Sequence, residues 1–295
     1  MHSYTACLVI TFIIFVCFLC DICRSMSRFG KVFSSVKCAV IGMIHVQALP
    51  GTPMSKYSVQ QIVEYACNEA IVYGKCGVDG LIVENMFDVP YVSGNQVGHE
   101  VTAVMTRVCT EVKKTIGKMP CGVQILSGNN IAATAVALAA GLQFARIEGF
   151  VFAHVADEGL MEACAGPLLR YARNIGARDI LYLCDIKKKH CSHAITSDLT
   201  ISQTARAAEF FLSDGVILTG METGNPPDVK DLEGVKTATS LPVLIGSGMT
   251  IENVKMYAKA DGFIVGSHFK HNGHWSGQAD SDKILKFMET VSAIR

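Results

Sequence analysis

The stretch LPVLIGSGMT (Leu241–Thr250), followed by ADGFIVGS (Ala260–Ser267), decides the fold. Each is a strongly apolar run that ends in Gly and Ser. Such an ending leaves backbone N–H groups bare where the strand stops, and small residues let an anion approach them. In an eightfold β/α barrel, the loops after strands 7 and 8 commonly hold a phosphate. The pair therefore points to a fold and a substrate class, and leaves the reaction open.

Six similar runs precede it: CAVIGMIHV from Cys38, VDGLIVEN from Val78, CGVQIL from Cys121, QFARIEG from Gln143, DILYLCDI from Asp179 and GVILTG from Gly215. They are rich in Val, Ile and Leu and do not alternate cleanly with polar residues, as expected of strands covered on both faces. Between them lie segments with helical spacing. Ser58 is placed to cap a helix ending near Gly74 and Gly77, and Thr102 to Ile116 and Ala132 to Ala140 follow. Asp228 is placed to cap a further helix, Thr250 to cap IENVKMYAKA, and Asp280 to start the last one. Strand and helix alternating eight times over about 250 residues predict a single (β/α)8 TIM barrel. A doubly wound sheet would be expected to carry a glycine-rich turn after its first strand; HVQALPG is a poor match.

In a barrel the chemistry collects where strands end. The first run ends at His45, an acid, base or ligand by type. The second ends at Glu84 and Asn85, with Asp88 just beyond. The third gives Ser127, Gly128 and Asn129, neutral groups suited to a polar substrate. The fourth carries Arg146 and Glu148, two apart and so on one face, either a mutual ion pair or a network with Glu84. The loop after them adds His154, Asp157 and Glu158, and its apolar content predicts that it folds over the mouth. The fifth run ends at Asp185, with Lys187, Lys188, Lys189, His190 and His193 following. A lysine there suits phosphate binding, enolate stabilisation or, with its pKa lowered by burial, a base role. The sixth ends at Thr219, with Thr223 beyond.

These positions give a candidate set: Asp185, Glu84, Glu148, His45, Lys189 and His190 for catalysis. Gly246, Ser247, Gly248, Gly266 and Ser267 would hold phosphate, aided by a helix N-terminus after Gly248. Asn85, Asp88, Asn129, Thr219 and Thr223 would line the substrate. Each has an ordinary reading too: a satisfied core histidine, an ion pair at the mouth, a tight glycine turn. No cofactor is firmly implied. A divalent metal on Glu84, Asp88, Glu148, Asp185, His45 and His190 stays open, without a dedicated ligand spacing such as HExxH.

Composition narrows the partners. The 295 residues are half hydrophobic, with 26 basic and 26 acidic side chains. Zero net charge and the lack of a long basic, aromatic-interleaved patch argue against nucleic acid. Twelve cysteines are present, several inside apolar runs, without disulfide or zinc spacing in the body. They read as small reduced hydrophobes in a reducing compartment. Residues 1–36 read as a separate hydrophobic and basic leader, with the barrel at 37–295. The apolar run from Ala6 to Cys20 is short of the about 20 residues a membrane span needs. The basic, Ser-rich stretch from Met26 fits an organellar presequence. Mitochondrial or cytosolic placement is expected, with membrane association through the leader as the alternative.

Taken together, the strand-end segments GMIHVQALPG (Gly42–Gly51), DGLIVENMFDVPY (Asp79–Tyr91), DIKKKH (Asp185–His190), LTGMETGNPPD (Leu218–Asp228) and PVLIGSGMTIENV (Pro242–Val254) resemble those of the BtpA/SgcQ family. The similarity runs in order over nearly all of Cys38–Arg295. It implies a barrel related to ribulose-phosphate-binding barrels. A cyanobacterial member is associated with photosystem I biogenesis, and others lie among sugar-utilisation genes. Bacterial members tend to end the third strand in an Arg-Asn-Asp-like sequence, where this chain has Ser127, Gly128 and Asn129. The leading expectation is an isomerase, lyase or hydrolase acting on a sugar or ribosyl phosphate. The alternative is a non-catalytic assembly or stability factor for a membrane complex. A homo-oligomer is compatible with either.

Overall fold

The computed structural model describes Ser27–Arg295. Eight parallel strands close into a barrel. They are β1 (Ala39–His45), β2 (Gly80–Glu84), β3 (Cys121–Gln124), β4 (Phe144–Ile147), β5 (Leu181–Asp185), β6 (Gly215–Leu218), β7 (Val243–Ile245) and β8 (Gly262–Val265). Each pairs with its sequence neighbours, and β8 returns to β1 with Ala39 opposite Gly262. All eight expected runs are strands of this one sheet, in the expected order.

The helices are α1 (Arg28–Val32), α2 (Val59–Lys75), α3 (His99–Ile116), α4 (Asn130–Ala140), α5 (Ala165–Asn174), α6 (Ile201–Phe210), α7 (Val229–Ala238) and α8 (Ser281–Ser292). Ser58 caps α2 through a reciprocal capping box with Gln61, and Asp228 and Asp280 cap α7 and α8. The segment after β7 differs from expectation. Thr250 opens turns and a short 3₁₀ helix at Val254–Tyr257, not an α-helix over IENVKMYAKA. Asn253 intervenes, its side chain accepting from the Thr250 N–H and donating to the Gly248 carbonyl at 2.9 and 2.8 Å. Asn and Thr that bond nearby backbone compete with helix in this way.

Inside the barrel, Ile41 and Met43 of β1, Ile82 of β2, Phe144 of β4, Leu183 of β5, Ile217 of β6, Leu244 of β7 and Ile264 of β8 form one core. Gly122 on β3 is required there, since a Cβ would lie 2.3 Å from the Phe144 ring. The floor comes from α1. Phe29 and Phe33 are buried in the same core, and Phe33 meets Phe144 at 5.6 Å between ring centroids. Arg28 fastens the helix by donating to Asp214 at 2.7 Å and to the carbonyls of Arg178 and Ile180. The boundary expected at residue 37 therefore falls within a packed unit, which extends back to Ser27. Within the stretch that resembled a presequence, the residues from Ser27 onward supply this plug; its basic and Ser-rich composition hid two core phenylalanines. The apolar run of the leader, Ala6 to Cys20, lies outside the described residues. Among the described residues, no helix is long and apolar enough to cross a membrane, and the eight cysteines are free thiols.

The plug has a measurable consequence. Phe33→Ala is expected to destabilise the protein by about 3–5 kcal/mol, read as a lowered urea midpoint of the full chain. A loss well under about 1 kcal/mol would mean that α1 is dispensable to the barrel.

Candidate active site

A cavity of about 520 Å³ opens at the C-terminal ends of the strands. The inward positions of each strand explain its lining. Side chains alternate across a strand, so the residue two beyond an inward apolar residue reaches the mouth. His45 follows Met43, Glu84 follows Ile82, Arg146 follows Phe144, and Asp185 follows Leu183. All four line the cavity, as do Gln124, Glu148, Lys188, Lys189, His190 and Thr223.

Two loops roof it. After β4, residues His154–Ala156 and Gly159–Met161 form a hairpin that also pairs with Cys191–Ser192. The turn of this hairpin brings Asp157 and Glu158 to the mouth, as its apolar sequence predicted. On the other side, Trp275 covers His45 and packs on Phe87 at 4.8 Å. Its loop is tethered by Lys270, whose buried ammonium donates to Glu69 of α2 at 2.5 Å.

The charged groups sort into pairs. Arg146 donates through Nε and Nη2 to both oxygens of Asp185, at 2.9 and 2.8 Å, with both side chains buried. Arg146 thus pairs with neither Glu148 nor Glu84, and the geometry gives Asp185 a holding position. Glu148 accepts from Lys188 at 3.2 Å, Gln124 at 3.2 Å and the Gly128 N–H at 2.9 Å. Burial pushes its carboxyl up, but Lys188, Arg146 and that amide outweigh burial and hold it below the usual range.

Two charged groups are left over. Glu84 has no hydrogen-bonded cation, and burial raises its carboxyl pKa against the pull of Arg146 and Lys189. Lys189 donates to the Thr223 hydroxyl at 3.2 Å and, among the described residues, has no carboxylate within ion-pair distance. Burial and then Arg146 bring its ammonium down to about 8. His45 is neutral: burial and Lys270 lower its pKa to about 3. Its Nδ1–H donates to the Trp275 carbonyl at 2.7 Å, which leaves the Nε2 lone pair facing Glu84 Oε2 at 3.7 Å.

Gly246, Ser247, Gly248, Gly266 and Ser267 line a wall beside His45 and Arg146, together with Thr250 and His268. The Ser247 hydroxyl is occupied, accepting from the Gly220 N–H and donating to the Asn225 carbonyl. It braces the β6 and β7 loops, and Ser267 is the freer hydroxyl. Since no α-helix follows Gly248, the expected helix dipole is absent, and backbone N–H groups, small residues, Thr250 and His268 shape this wall.

Four expected lining residues do not line the cavity. Asn85 and Asp88 bond one another and the Leu126 and Leu49 backbone. Asn129 caps α4, and the Thr219 hydroxyl accepts from the Lys189 N–H at 2.9 Å. Each is a short polar side chain satisfied locally, an ordinary fate for these residue types. The six residues considered for a metal do not converge, and among the described residues no group of three or more His, Cys, Asp or Glu is gathered. The sequence reading passed over Gln124 and Trp275, and named Lys188 only within its lysine run. Gln124 stood two beyond an inward position on β3, which was the available signal. Its Oε1 is buried without a partner.

Arg146→Met is expected to cost about 3–5 kcal/mol by stranding the Asp185 charge, with Arg146→Met/Asp185→Leu recovering much of it; urea denaturation reads both. A second expectation concerns pH. Burial and Lys188 lower the His154 pKa to about 4. The unfolded chain takes up that proton near pH 6.5, so stability should fall as pH drops from about 6.5 toward 4. His154→Gln should flatten that part of the stability curve; an unchanged slope would remove His154 as a source.

The BtpA family profile matches residues 36–293. A Caenorhabditis elegans protein named as uncharacterized and mitochondrial is 44% identical over 268 residues, covering 90% of this chain and 97% of its own. The photosystem I biogenesis protein BtpA of Synechocystis is 33% identical over 255 residues, covering 86% and 88%. Phosphoribosyl anthranilate isomerase from Thermus thermophilus superposes with a TM-score of 0.55 at 10% identity, over 87% of this chain and all of that one. Orotidine 5′-monophosphate decarboxylase from Methanocaldococcus jannaschii gives 0.55 at 13%, over 86% and 98%. At these identities the structures share the fold; the sequence match over nearly the whole barrel goes further, and the chain belongs to the BtpA family.

Proposed function

We propose that the barrel mouth binds a small phosphorylated metabolite, a sugar or ribosyl phosphate, and acts on it by proton transfer as an isomerase, lyase or hydrolase. One observation carries this reading. The wall built from Gly246–Thr250 and Gly266–His268 contains no carboxylate, while Glu84 and Lys189 face the cavity with no ion-pair partner of their own among the described residues. An anion at the first wall would leave the rest of the ligand among groups that exchange protons near neutral pH. The phosphorylated substrates named for the two structural neighbours support the same ligand class. In this reading His45 and His190 orient the ligand, and Asp185 and Glu148 hold Arg146 and Lys188 in place. The mitochondrial name of the nematode relative supports a mitochondrial setting for the body.

A second reading, an assembly or stability factor for a membrane complex, is favoured by the far end of the barrel. There Phe210 and Leu212 are 82% and 72% exposed. Leu212 takes the left-handed position after α6, at φ 69°, that glycine usually fills. The name of the Synechocystis relative supports this alternative.

Thermal denaturation of the full chain with inorganic phosphate and a panel of sugar phosphates separates the two. Ligand at a hundredfold its Kd should stabilise by about 2.7 kcal/mol, seen as a Tm several degrees higher. Ser267→Asp, which places a carboxylate at the proposed anion wall without disturbing the Ser247 brace, should abolish the rise. No rise with any phosphorylated compound would sink the ligand reading and leave the assembly role.

A further inference from the structure

We propose that Lys189 is a Schiff-base lysine, forming an imine with the carbonyl carbon of an aldehyde or ketone phosphate while Glu84 delivers and removes the protons. This rests on the phosphorylated-ligand reading above and names the reacting end of that ligand.

Three cations lie at the mouth: Arg146, Lys188 and Lys189. Arg146 is clamped in a bidentate pair with Asp185, and Lys188 is bonded to Glu148. Lys189 alone of these three has no carboxylate within ion-pair distance among the described residues. Its Nζ reaches only the Thr223 hydroxyl. A half-buried lysine beside a second cation loses its proton readily, and the free amine is the nucleophile that carbonyl chemistry needs. Arg146 is that second cation here. The groups acting on Lys189 come from several strands: Arg146 and Glu148 from the end of β4, Asp185 from β5 and Glu84 from β2.

The backbone presents the amine deliberately. Lys187, two residues before it, and His190, the next residue, adopt φ of 45° and 55°, left-handed conformations uncommon outside glycine. The Lys189 N–H is pinned to the Thr219 hydroxyl, which gives that residue a use behind the cavity wall. Glu84, with no cation bonded to it, can hold a proton against the neutral His45 Nε2.

The steps balance without a further reagent. The Lys189 amine adds to the carbonyl carbon, forming a C–N bond, and the proton shed by its nitrogen passes to the former carbonyl oxygen to give a carbinolamine. Protonated Glu84 then gives its proton to the departing hydroxyl, which leaves as water, and an iminium remains. The iminium accepts the electron pair of an adjacent C–H bond as the Glu84 carboxylate takes up that proton, which leaves an enamine. Glu84 returns the proton to carbon and restores an iminium; water adds to it, the C–N bond breaks, and the product carbonyl and the free lysine amine separate.

The test uses the full chain with dihydroxyacetone phosphate, glyceraldehyde 3-phosphate and ribulose 5-phosphate, with and without borohydride, followed by peptide mass mapping. Borohydride should trap a secondary amine on the Lys189 peptide with at least one of them. Trapping should quicken as pH rises through about 8, where the amine becomes free, and vanish in Lys189→Arg. That variant keeps the charge, so its Tm rise with inorganic phosphate should persist. No adduct with any of the three compounds, or adducts spread equally over exposed lysines and unaffected by Lys189→Arg, would overturn the proposal. A phosphate-induced Tm rise without an adduct would spare the ligand reading and reject the imine alone; an adduct on Lys189 without any phosphate response would do the reverse.

Discussion

The bidentate pairing of Arg146 with Asp185 is the constraint around which the barrel mouth is arranged. A buried guanidinium must be matched by a carboxylate in good geometry, because desolvation otherwise outweighs its attraction to more distant charges. Once Asp185 is committed to Arg146, and Glu148 to Lys188, the cavity has used its two best-placed carboxylates on two cations. Glu84 and Lys189 are then left in the same cavity without partners of their own, and burial moves both toward neutrality. That these two groups stand without an ion-pair partner is thus a consequence of how the other four are paired.

The barrel itself was legible because every strand carries its signal locally. Eight apolar runs, each ending in a polar or glycine-rich turn, are visible without knowing what packs on what. Even the inward positions could be counted, since His45, Glu84, Arg146 and Asp185 each stand two residues beyond a core side chain. What could not be read was pairing. Arg146 and Asp185 lie 39 residues apart, on strands whose adjacency follows from the fold but whose rotamers do not. Arg146 and Glu148 therefore looked like natural partners on one strand, although each turns to a residue from β5 or its loop.

The misreadings share a physical cause as well. Asn85, Asp88, Asn129 and Thr219 sit at strand ends, as functional residues do, yet short polar side chains there are also the ones that satisfy loop backbone. Nothing in the residue type separates the two uses. Thr250 carried a capping signal that Asn253 diverted into a turn. The segment from Met26 is a different case: its basic, Ser-rich composition suits a presequence, and the same residues from Ser27 onward also carry a packed helix. Its two phenylalanines, four residues apart, were the competing signal for one buried helical face.

That buried face bears on the chemistry at the opposite end. Met43 and Ile264 belong both to the inner core and to the cavity wall. Phe29 and Phe33 lie in that same core. The floor of the cavity is therefore the top of a layer that α1 completes from below. With side chains filling the barrel beneath it, the mouth meets solvent from above, where Trp275 and the hairpin turn at Asp157 and Glu158 narrow the approach. Burial in such a cavity leaves the Glu84 carboxylate and the Lys189 ammonium with less water to stabilise their charges, which raises one pKa and lowers the other. The short helix Arg28–Val32 thus closes from below the core layer that floors the cavity these two groups line.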